Sequence, residues 1–354
     1  HRDLHSFPTR RSSDLDKDNN PFSLSNPSAF LSQRALERRA MSGIAPDWKD
    51  LPVTPDYVTQ IAATGAQVIY PLRWFNAVVV KTSDPSVISA IAALPFVSHI
   101  DIVVDHISDQ SATERGIQQS AATDPVIPFQ ASTAAVAGKS GAFDYGQAYN
   151  QAHMIAVDEL HNLGYTGSGM VIAVLDAGFY RVDQIAAFDS LFAQNRILGT
   201  RDFHLPGNNV YGEDMHTHGT SVLSTMGANL PGEMIGTAPH AGFWLIRTEV
   251  GDYEAPVEEY NWAAGAEFAD SVGADIINSS LGYTTFDNPA YDHTYADMDG
   301  KTTAVTRAAD IAASRGMLVV NSAGNSGGGS WQYIGAPADG DSVFSIGAVN
   351  AQGI

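Results

Sequence analysis

Apolar residues in the second half of the chain occur in compact runs that are separated by amphipathic stretches. The run MVIAVLDAG at 170–178 is nearly continuous, which is typical of a parallel strand buried on both faces. Similar runs occupy 242–249, 274–282, 316–327 and 342–349, and helical patterns lie at 255–272 and 302–315. Strands that alternate with helices predict an α/β fold, with a parallel sheet flanked by helices on both faces.

An earlier region, residues 28–105, has an α+β pattern instead. Thr54 and Asp84 each precede a proline, which predicts two helices that begin with a capping residue and a proline at the first helical position. Strands are predicted at 66–70, 74–81 and 96–104. The order helix, strand, strand, helix, strand predicts a small ferredoxin-like domain whose sheet lacks one strand at its front.

The two patterned regions are separated by residues 107–142, which are rich in Ser, Ala, Thr, Gln and Gly and have little apolar periodicity. Such a composition is typical of an exposed linker, where proteases cut. We therefore divide the chain into a small α+β domain (16–106), a flexible linker (107–142) and a larger α/β domain (143–354).

The N-terminal segment of the chain has the sequence HRDLHSFPTRRSSDL. Its part FPTRRSSDL resembles the translation of a common sequencing adapter, and we interpret residues 1–15 as an artefact of that kind. On this interpretation the true start is missing, so the lack of a signal peptide has no meaning. Resequencing the 5′ end of the gene would distinguish an adapter from a genuine polar tail.

The composition of the chain disfavours some classes of binding partner and excludes some kinds of site. The 354 residues carry a formal net charge of −20, which disfavours nucleic acids and anionic membranes as partners. No apolar run approaches the ~18–20 residues that span a bilayer. The chain has no cysteine, so disulfides, thiol nucleophiles and cysteine-ligated zinc sites are excluded.

Polar residues directly follow several of the predicted strands. Asp176, Ser280 and Asn325 each stand at such a strand end. In an open α/β sheet, ligands bind beyond the carboxyl ends of the strands, so these side chains are candidates for one common site. Taken singly, each residue also fits an ordinary turn or helix cap.

The stretch EDMHTHGTSV at 213–222 has two interpretations. In the first, Asp214, His216 and His218 together bind a metal ion. In the second, His218 is a general base at the start of a helix. The positive end of the helix dipole would then favour the neutral imidazole that a base requires.

These motifs, in this order, resemble those of the subtilisin-like serine peptidases over residues 143–354. The similarity rests on VIAVLDAGF, HTHGTSV, GTAPHA, SSLG and NSAGNSG. It implies that Asp176 and His218 belong to a catalytic triad, and that Asn325 donates a hydrogen bond in the oxyanion hole. Substrate-binding roles are implied for Ser280, Leu281, Gly282, Ala323 and Gly324.

Residues 28–105 resemble the inhibitory propeptides of the same family, particularly those of secreted bacterial precursors. The similarity rests on LSQRALERRAMSGIAPDWKDLPVTPDYV and, farther along, on WFNAV. The resemblance implies a secreted endopeptidase that is made as a zymogen. Peptides or proteins would be its substrates, and its own propeptide would be an intramolecular inhibitor until the linker 107–142 is cut.

The nucleophile of the family is a serine in a Gly-Thr-Ser-Met-Ala type of motif that follows the oxyanion asparagine. This sequence contains no such motif. We therefore expect a fragment that is truncated before the catalytic serine and is inactive as it stands. Two alternatives stay open, namely a binding protein without peptidase activity and a metallohydrolase that uses Asp214, His216 and His218.

The resemblance implies no required cofactor, although calcium is common in this family. The acidic segment YDHTYADMDG at 291–300 offers Asp292, Asp297 and Asp299 as oxygen ligands. It lacks the regular ligand spacing of a known calcium-binding loop, which favours a solvated acidic loop over a calcium site.

Overall fold

The computed structural model describes residues 3–8, 17–104, 139–141 and 143–353. The first part of the chain forms a small α+β unit and the remainder forms a larger α/β unit. The linker predicted at 107–142 lies almost entirely outside the described residues, so its boundaries stay a prediction.

The small unit has a ferredoxin-like order of strands. Its elements are β1 (Asp3–Pro8), α1 (Gln33–Met41), α2 (Pro55–Ala63), β2 (Gln67–Leu72), β3 (Ala77–Thr82), α3 (Pro85–Ala92) and β4 (Asp101–Val104). The strands form an antiparallel sheet in the order β2–β3–β1–β4. An apolar cluster beneath the sheet includes Val78, Val80, Ile61, Ile91 and Phe96.

β1 occupies the front position that the predicted order of strands lacks. Its backbone pairs antiparallel with β3 and β4, and His5 stands opposite Val80 and Ile102. The other residues of the segment 1–15 lie outside the described residues. The adapter origin of this segment stays a prediction, because backbone pairing does not depend on which side chains a strand carries.

Both predicted helix starts are present. α2 begins at Pro55 and α3 begins at Pro85. The carboxylate of Asp84 accepts a hydrogen bond from the backbone N–H of Ser86 at 2.8 Å, which caps α3. Thr54 holds the equivalent position before α2, but its side chain makes no capping hydrogen bond. The proline alone therefore marks the start of α2.

The large unit is built on a six-stranded sheet. Its elements are β5 (Lys139–Ser140), β6 (Phe143–Asp144), α4 (Tyr149–Met154), α5 (Val157–Asn162), β7 (Val171–Asp176), α6 (Asp189–Ala193), β8 (Ile197–Asp202), α7 (His218–Gly227), β9 (Asn229–Leu230), β10 (Met234–Ile235), β11 (Gly242–Arg247), α8 (Val257–Val272), β12 (Ile276–Ser279), α9 (Ala304–Ser314), β13 (Leu318–Ser322) and β14 (Val343–Ile346). The sheet is parallel in the order β14–β13–β12–β7–β11–β8, which confirms the predicted α/β class.

Helices cover both faces of this sheet, as the continuous apolar runs predict. On the central strand β7, Ile172 and Val174 pack with Leu223 of α7. The alternate residues Ala173 and Leu175 belong to the cluster on the opposite face, which includes α8 and α9. The strand is thus buried from both sides, which explains why its sequence shows no polar alternation.

The edge strand β8 was not predicted from the sequence. Most of its residues are exposed or half-buried, so it has no apolar run. It also contains Gly199, where an added Cβ atom would overlap the ring of Trp244 on β11. In the sequence this glycine indicates a turn, but in the fold it admits a neighbouring aromatic ring.

Buried charges join the small unit to α8. The carboxylate of Asp270 accepts hydrogen bonds from Arg38, Arg39 and Arg73 at 2.5, 2.7 and 2.6 Å. Arg39 also forms a bidentate pair with Asp50, at 2.8 and 2.9 Å. All five side chains are buried. The apolar pattern does not predict α1, because its buried face carries two of these arginines.

The turn between β2 and β3 is held by the same helix. The carboxylate of Glu267 accepts the backbone N–H groups of Arg73 and Trp74, each at 2.9 Å. Tyr70 and Trp74 belong to the apolar cluster that contains α8. The small unit therefore contacts the large one through a packed, hydrogen-bonded interface.

We expect Asp270→Asn to destabilise this interface strongly. The substitution keeps the shape of the side chain but leaves the buried guanidinium of Arg38 without its counter-ion, and such a loss typically costs about 3–5 kcal/mol. Chemical denaturation of the chain, followed by circular dichroism, should show a lower midpoint. The control is Glu213→Gln, which breaks the exposed pair with Arg181 and should change the midpoint little. Equal effects of the two substitutions would contradict the prediction.

Candidate active site

A cleft opens at the carboxyl edge of the parallel sheet, where β7, β11, β12 and β13 end. The residues that line it are Ala177, His218, Glu249, Glu254, Ser280, Leu281, Gly282, Ser322, Gly324 and Asn325. They come from distant parts of the chain and meet because the strands are parallel and in register.

Asp176, the last residue of β7, is fully buried behind this cleft and is bonded to His218. The Nδ1 atom of His218 lies 2.9 Å from Oδ1 and 3.0 Å from Oδ2 of the carboxylate. Oδ1 also accepts the backbone N–H of Ala177 at 2.8 Å. Since Nδ1 is engaged, Nε2 is the imidazole nitrogen that remains for chemistry in the cleft.

Two glycines permit this close approach of α7 to the end of β7. A Cβ atom at Gly219 would overlap the carbonyl oxygen of Gly178 and would lie 2.9 Å from the Cβ of Asp176. Gly178 has a φ of +140°, and a Cβ atom there would lie 2.9 Å from the backbone nitrogen of His216. Neither position can carry a side chain without moving the helix away from Asp176.

Asp176 also sets the protonation of His218. The hydrogen bond between them raises the pKa of the imidazole above its ordinary value, against the opposing effect of burial. The charges of Asp176 and Glu249 act in the same direction. The adjacent carboxylate therefore has a larger effect on the pKa of His218 than the helix dipole, which was expected to favour the neutral imidazole.

His216 has a different environment. Its Nδ1 accepts the backbone N–H of His218 at 3.0 Å, and burial lowers its pKa. Asp214 is exposed. In the part of the chain that the structure describes, no three or more His, Cys, Asp or Glu side chains are grouped to hold a metal ion. The geometry therefore does not favour the metal-binding interpretation of this motif.

Most of the residues predicted to bind the substrate line the cleft, together with the asparagine predicted for the oxyanion hole. These are Ser280, Leu281, Gly282, Gly324 and Asn325. The segment after β12 is held in place because the carbonyl of Leu281 accepts a hydrogen bond from Nδ2 of Asn321 at 3.0 Å. Asn325 follows Gly324, whose φ is +85°, and directly precedes a short 3-10 turn.

Ala323 is the predicted residue that does not line the cleft. Its backbone N–H donates to the carbonyl of Ile346 at 2.8 Å, so its donor extends the pairing between β13 and β14. A sequence motif cannot distinguish a ladder residue from a cleft residue when the two are adjacent.

Glu249 and Glu254 line the cleft, although the sequence analysis did not single them out. Glu249 lies two residues beyond the end of β11. The strand-end rule that selected Asp176 would therefore have identified it. Burial, assisted by the charge of Asp176, raises the pKa of Glu249 to about 8.

The acidic segment 291–300 uses its carboxylates within local turns. Asp292 accepts the backbone N–H of Phe286 at 2.7 Å. Asp297 accepts two hydrogen bonds from Thr294. Asp299 accepts the backbone N–H groups of residues 301 and 302, each at 2.8 Å. These contacts are typical of capping carboxylates, and no calcium site is assigned to them.

Comparison with known families identifies both units. A family model described as Subtilase family matches residues 167–353. The chain belongs to the subtilase family. A second model, described as Peptidase S8 propeptide domain, Bacteroidota, matches residues 15–120 and identifies the small unit as a propeptide domain. Both matches agree with the resemblance drawn from the sequence motifs.

Individual relatives agree with this assignment. Subtilisin E from Bacillus subtilis (strain 168) is 32% identical over 200 residues, which cover 56% of this chain and 45% of that protein. Subtilisin from Bacillus pumilus is also 32% identical over 200 residues, covering 56% of this chain and 62% of the relative. The chain thus spans about half the length of the curated relatives that it matches.

A solved structure shares the fold. The Epidermin Leader Peptide Processing Serine Protease (EpiP) from Staphylococcus aureus aligns with a TM-score of 0.54 at 14% identity, covering 99% of this chain and 70% of that chain. At this identity the similarity concerns the fold alone.

Among the described residues, no helix has the length and apolar character needed to cross a membrane.

We expect the two histidines of the motif to titrate on opposite sides of the ordinary histidine value, which is about 6.5. Histidine-selective NMR of the chain should place the pKa of His218 above it and that of His216 below it. Asp176→Asn should lower the pKa of His218, because the substitution removes the carboxylate that stabilises the imidazolium. An unchanged titration in that variant would contradict the assignment.

The raised pKa of His218 also determines how the stability of the fold changes with pH. Because the folded-state pKa of His218 is raised, its ion pair contributes fully below about pH 6.5 and the contribution is lost as pH rises through the folded-state value.

Proposed function

We propose that the protein is a serine endopeptidase that hydrolyses peptide bonds with an Asp-His-Ser triad. The proposal rests on the hydrogen bond between His218 and the buried carboxylate of Asp176, beside a cleft that also contains Asn325. Membership of the subtilase family supports it. None of the serines in this sequence is assigned as the nucleophile.

In the proposed reaction, a serine oxygen attacks the carbonyl carbon of the scissile bond while Nε2 of His218 takes the hydroxyl proton. His218 then gives this proton to the leaving amine, and an acyl-enzyme remains. Water attacks the acyl-enzyme with the same imidazole as base and releases the carboxylic acid. Asp176 stabilises the imidazolium in both halves, in keeping with the raised pKa of His218.

The remaining cleft residues orient the substrate in this proposal. The carboxamide of Asn325 donates a hydrogen bond to the oxyanion that develops on the carbonyl oxygen. Ser280, Leu281 and Gly282 follow a strand end and pair with the main chain of an extended peptide. No cofactor takes part in these steps.

The proposed partners are a peptide or protein substrate and the propeptide domain of the same chain. The buried ion pairs between that domain and α8 support an inhibitory role that outlasts cleavage of the linker. One relative, the Minor extracellular protease Vpr from Bacillus subtilis (strain 168), is 32% identical over 205 residues, covering 57% of this chain and 23% of that protein. The name of this relative supports an extracellular location for the present protein too.

His218→Ala should abolish activity far more completely than His216→Ala. In the complete protein expressed from its gene, loss of the general base should cost several orders of magnitude in kcat, because base and nucleophile act as a unit. His216 accepts the backbone N–H of His218 and its ring lies beside that of His218, but it makes no hydrogen bond to Asp176, so its loss should cost far less. The measurement is hydrolysis of a peptide anilide, together with labelling by a serine-directed phosphonate. Equal losses that added zinc restores would favour the metallohydrolase, and specific peptide binding without any turnover would favour an inactive binding protein.

Maturation should cut the chain within 107–142. This segment contains small polar residues without apolar periodicity, so its backbone can enter a protease cleft at little cost. N-terminal sequencing of the mature protein should give a first residue in this range, and the His218→Ala variant should stay uncut if the protein processes itself. A mature start before about residue 104, within β4, would contradict the domain boundary.

A further inference from the structure

Two carboxyl groups line the cleft beside His218 and form no ion pair within the described residues. Glu249 follows β11 and is only 6% exposed. Its single side-chain hydrogen bond among the described residues comes from the hydroxyl of Tyr283 to Oε2, at 3.2 Å. Its Oε1 therefore has no donor there. Glu254 lines the same cleft, and its carboxylate takes part in no hydrogen bond or ion pair within the described part of the chain.

A neighbouring glutamate shows what a structural role looks like in this loop. Glu258, at the start of α8, is fully buried and accepts the backbone N–H groups of Val250 and Ala255, each at 2.8 Å. These two bonds hold the loop 250–255 in place. Glu249 and Glu254 make no equivalent side-chain contact with the described backbone, so the fold does not account for their carboxylates.

The arginine at the end of β11 does not pair with the carboxyl group of Glu249. Arg247 pairs through Nη1 with the carboxylate of Asp202 at 3.1 Å. Its Nε donates to the backbone carbonyl of Glu249 and not to the carboxylate of that residue. A metal ion is not indicated either, because no three acidic or histidine side chains are grouped to hold one within the described residues.

The geometry points to a cation that arrives with the substrate. Resting on the function proposed above, we propose that Glu249 and Glu254 bind the positively charged side chain of an arginine or lysine close to the scissile bond. An extended peptide advances about 3.3–3.6 Å per residue, so a side chain that reaches a carboxylate beside His218 belongs to a residue near that bond.

The surroundings of the two carboxyl groups explain why such a side chain would be selected. Glu249 faces Asp176, His218, Glu254, Glu258 and Tyr283. Burial and the charge of Asp176 raise the pKa of Glu249 to about 8, and burial together with Glu249 and Asp287 raises the pKa of Glu254. A bound guanidinium would supply the missing counter-charge and donors, whereas a neutral side chain would leave the carboxyl groups buried without them.

The test compares peptides that contain arginine or its uncharged isostere citrulline at successive positions around the scissile bond. With the complete protein expressed from its gene, kcat/KM should favour arginine at one position by about tenfold or more, which corresponds to about 1.4 kcal/mol. Glu249→Gln and Glu254→Gln, singly and together, should reduce this ratio toward one. The matched control is Glu159→Gln, an exposed position on α5, which should leave the ratio unchanged.

The possible outcomes separate this inference from the proposed function. Equal rates for the two peptides in the wild-type protein, or a ratio that the glutamine variants leave intact, would overturn the inference while the peptidase function stands. If no peptide is hydrolysed, isothermal titration of the same pair decides. Tighter binding of the arginine peptide, lost in the glutamine variants, would support the cation site and count against catalysis, whereas equal binding would overturn the site.

Discussion

The candidate site depends on the burial of one charge, the carboxylate of Asp176 at the end of the central strand. A buried anion is costly unless hydrogen bonds and an opposite charge compensate it. Here the compensation comes from His218 and from the backbone N–H of Ala177. The imidazole reaches Asp176 because Gly178 and Gly219 leave no side chain between strand and helix. Strand register, helix position and the basicity of His218 are therefore linked through this single carboxylate.

The other buried acids show how partners decide the role of a charge. Asp270 is surrounded by the guanidinium groups of Arg38, Arg39 and Arg73, and it serves to attach the propeptide domain. Glu249 is buried as well, but it has a tyrosine hydroxyl as its only side-chain donor among the described residues, and its pKa rises. A carboxylate whose charge the fold satisfies is structural. A carboxylate that the fold leaves unsatisfied, at the wall of a cleft, is available to a ligand.

Helix α8 connects these functions. Near its start, Glu258 holds the loop that carries Glu254 into the cleft. Its middle packs under the parallel sheet in the large apolar cluster, where Trp262 is fully buried. Toward its end, Glu267 and Asp270 receive the propeptide domain. One helix thus holds the loop that lines the cleft, packs against the sheet and binds the propeptide domain.

The sequence by itself determined the layers of the fold and singled out Asp176 and His218 as candidate site residues. Continuous apolar runs mark strands buried on both faces, and Asp176 and His218 stand in motifs that depend on local spacing. Other features depend on contacts between residues that are distant in the sequence. These are the glycine-containing strand β8, the arginine-rich helix α1 and the backbone hydrogen bond by which Ala323 extends the pairing of β13 with β14. Only the tertiary structure decided which polar residues meet. Glu249 and Glu254 become notable because the fold brings them beside His218 without a cation from the described residues, and no local pattern records an absent partner.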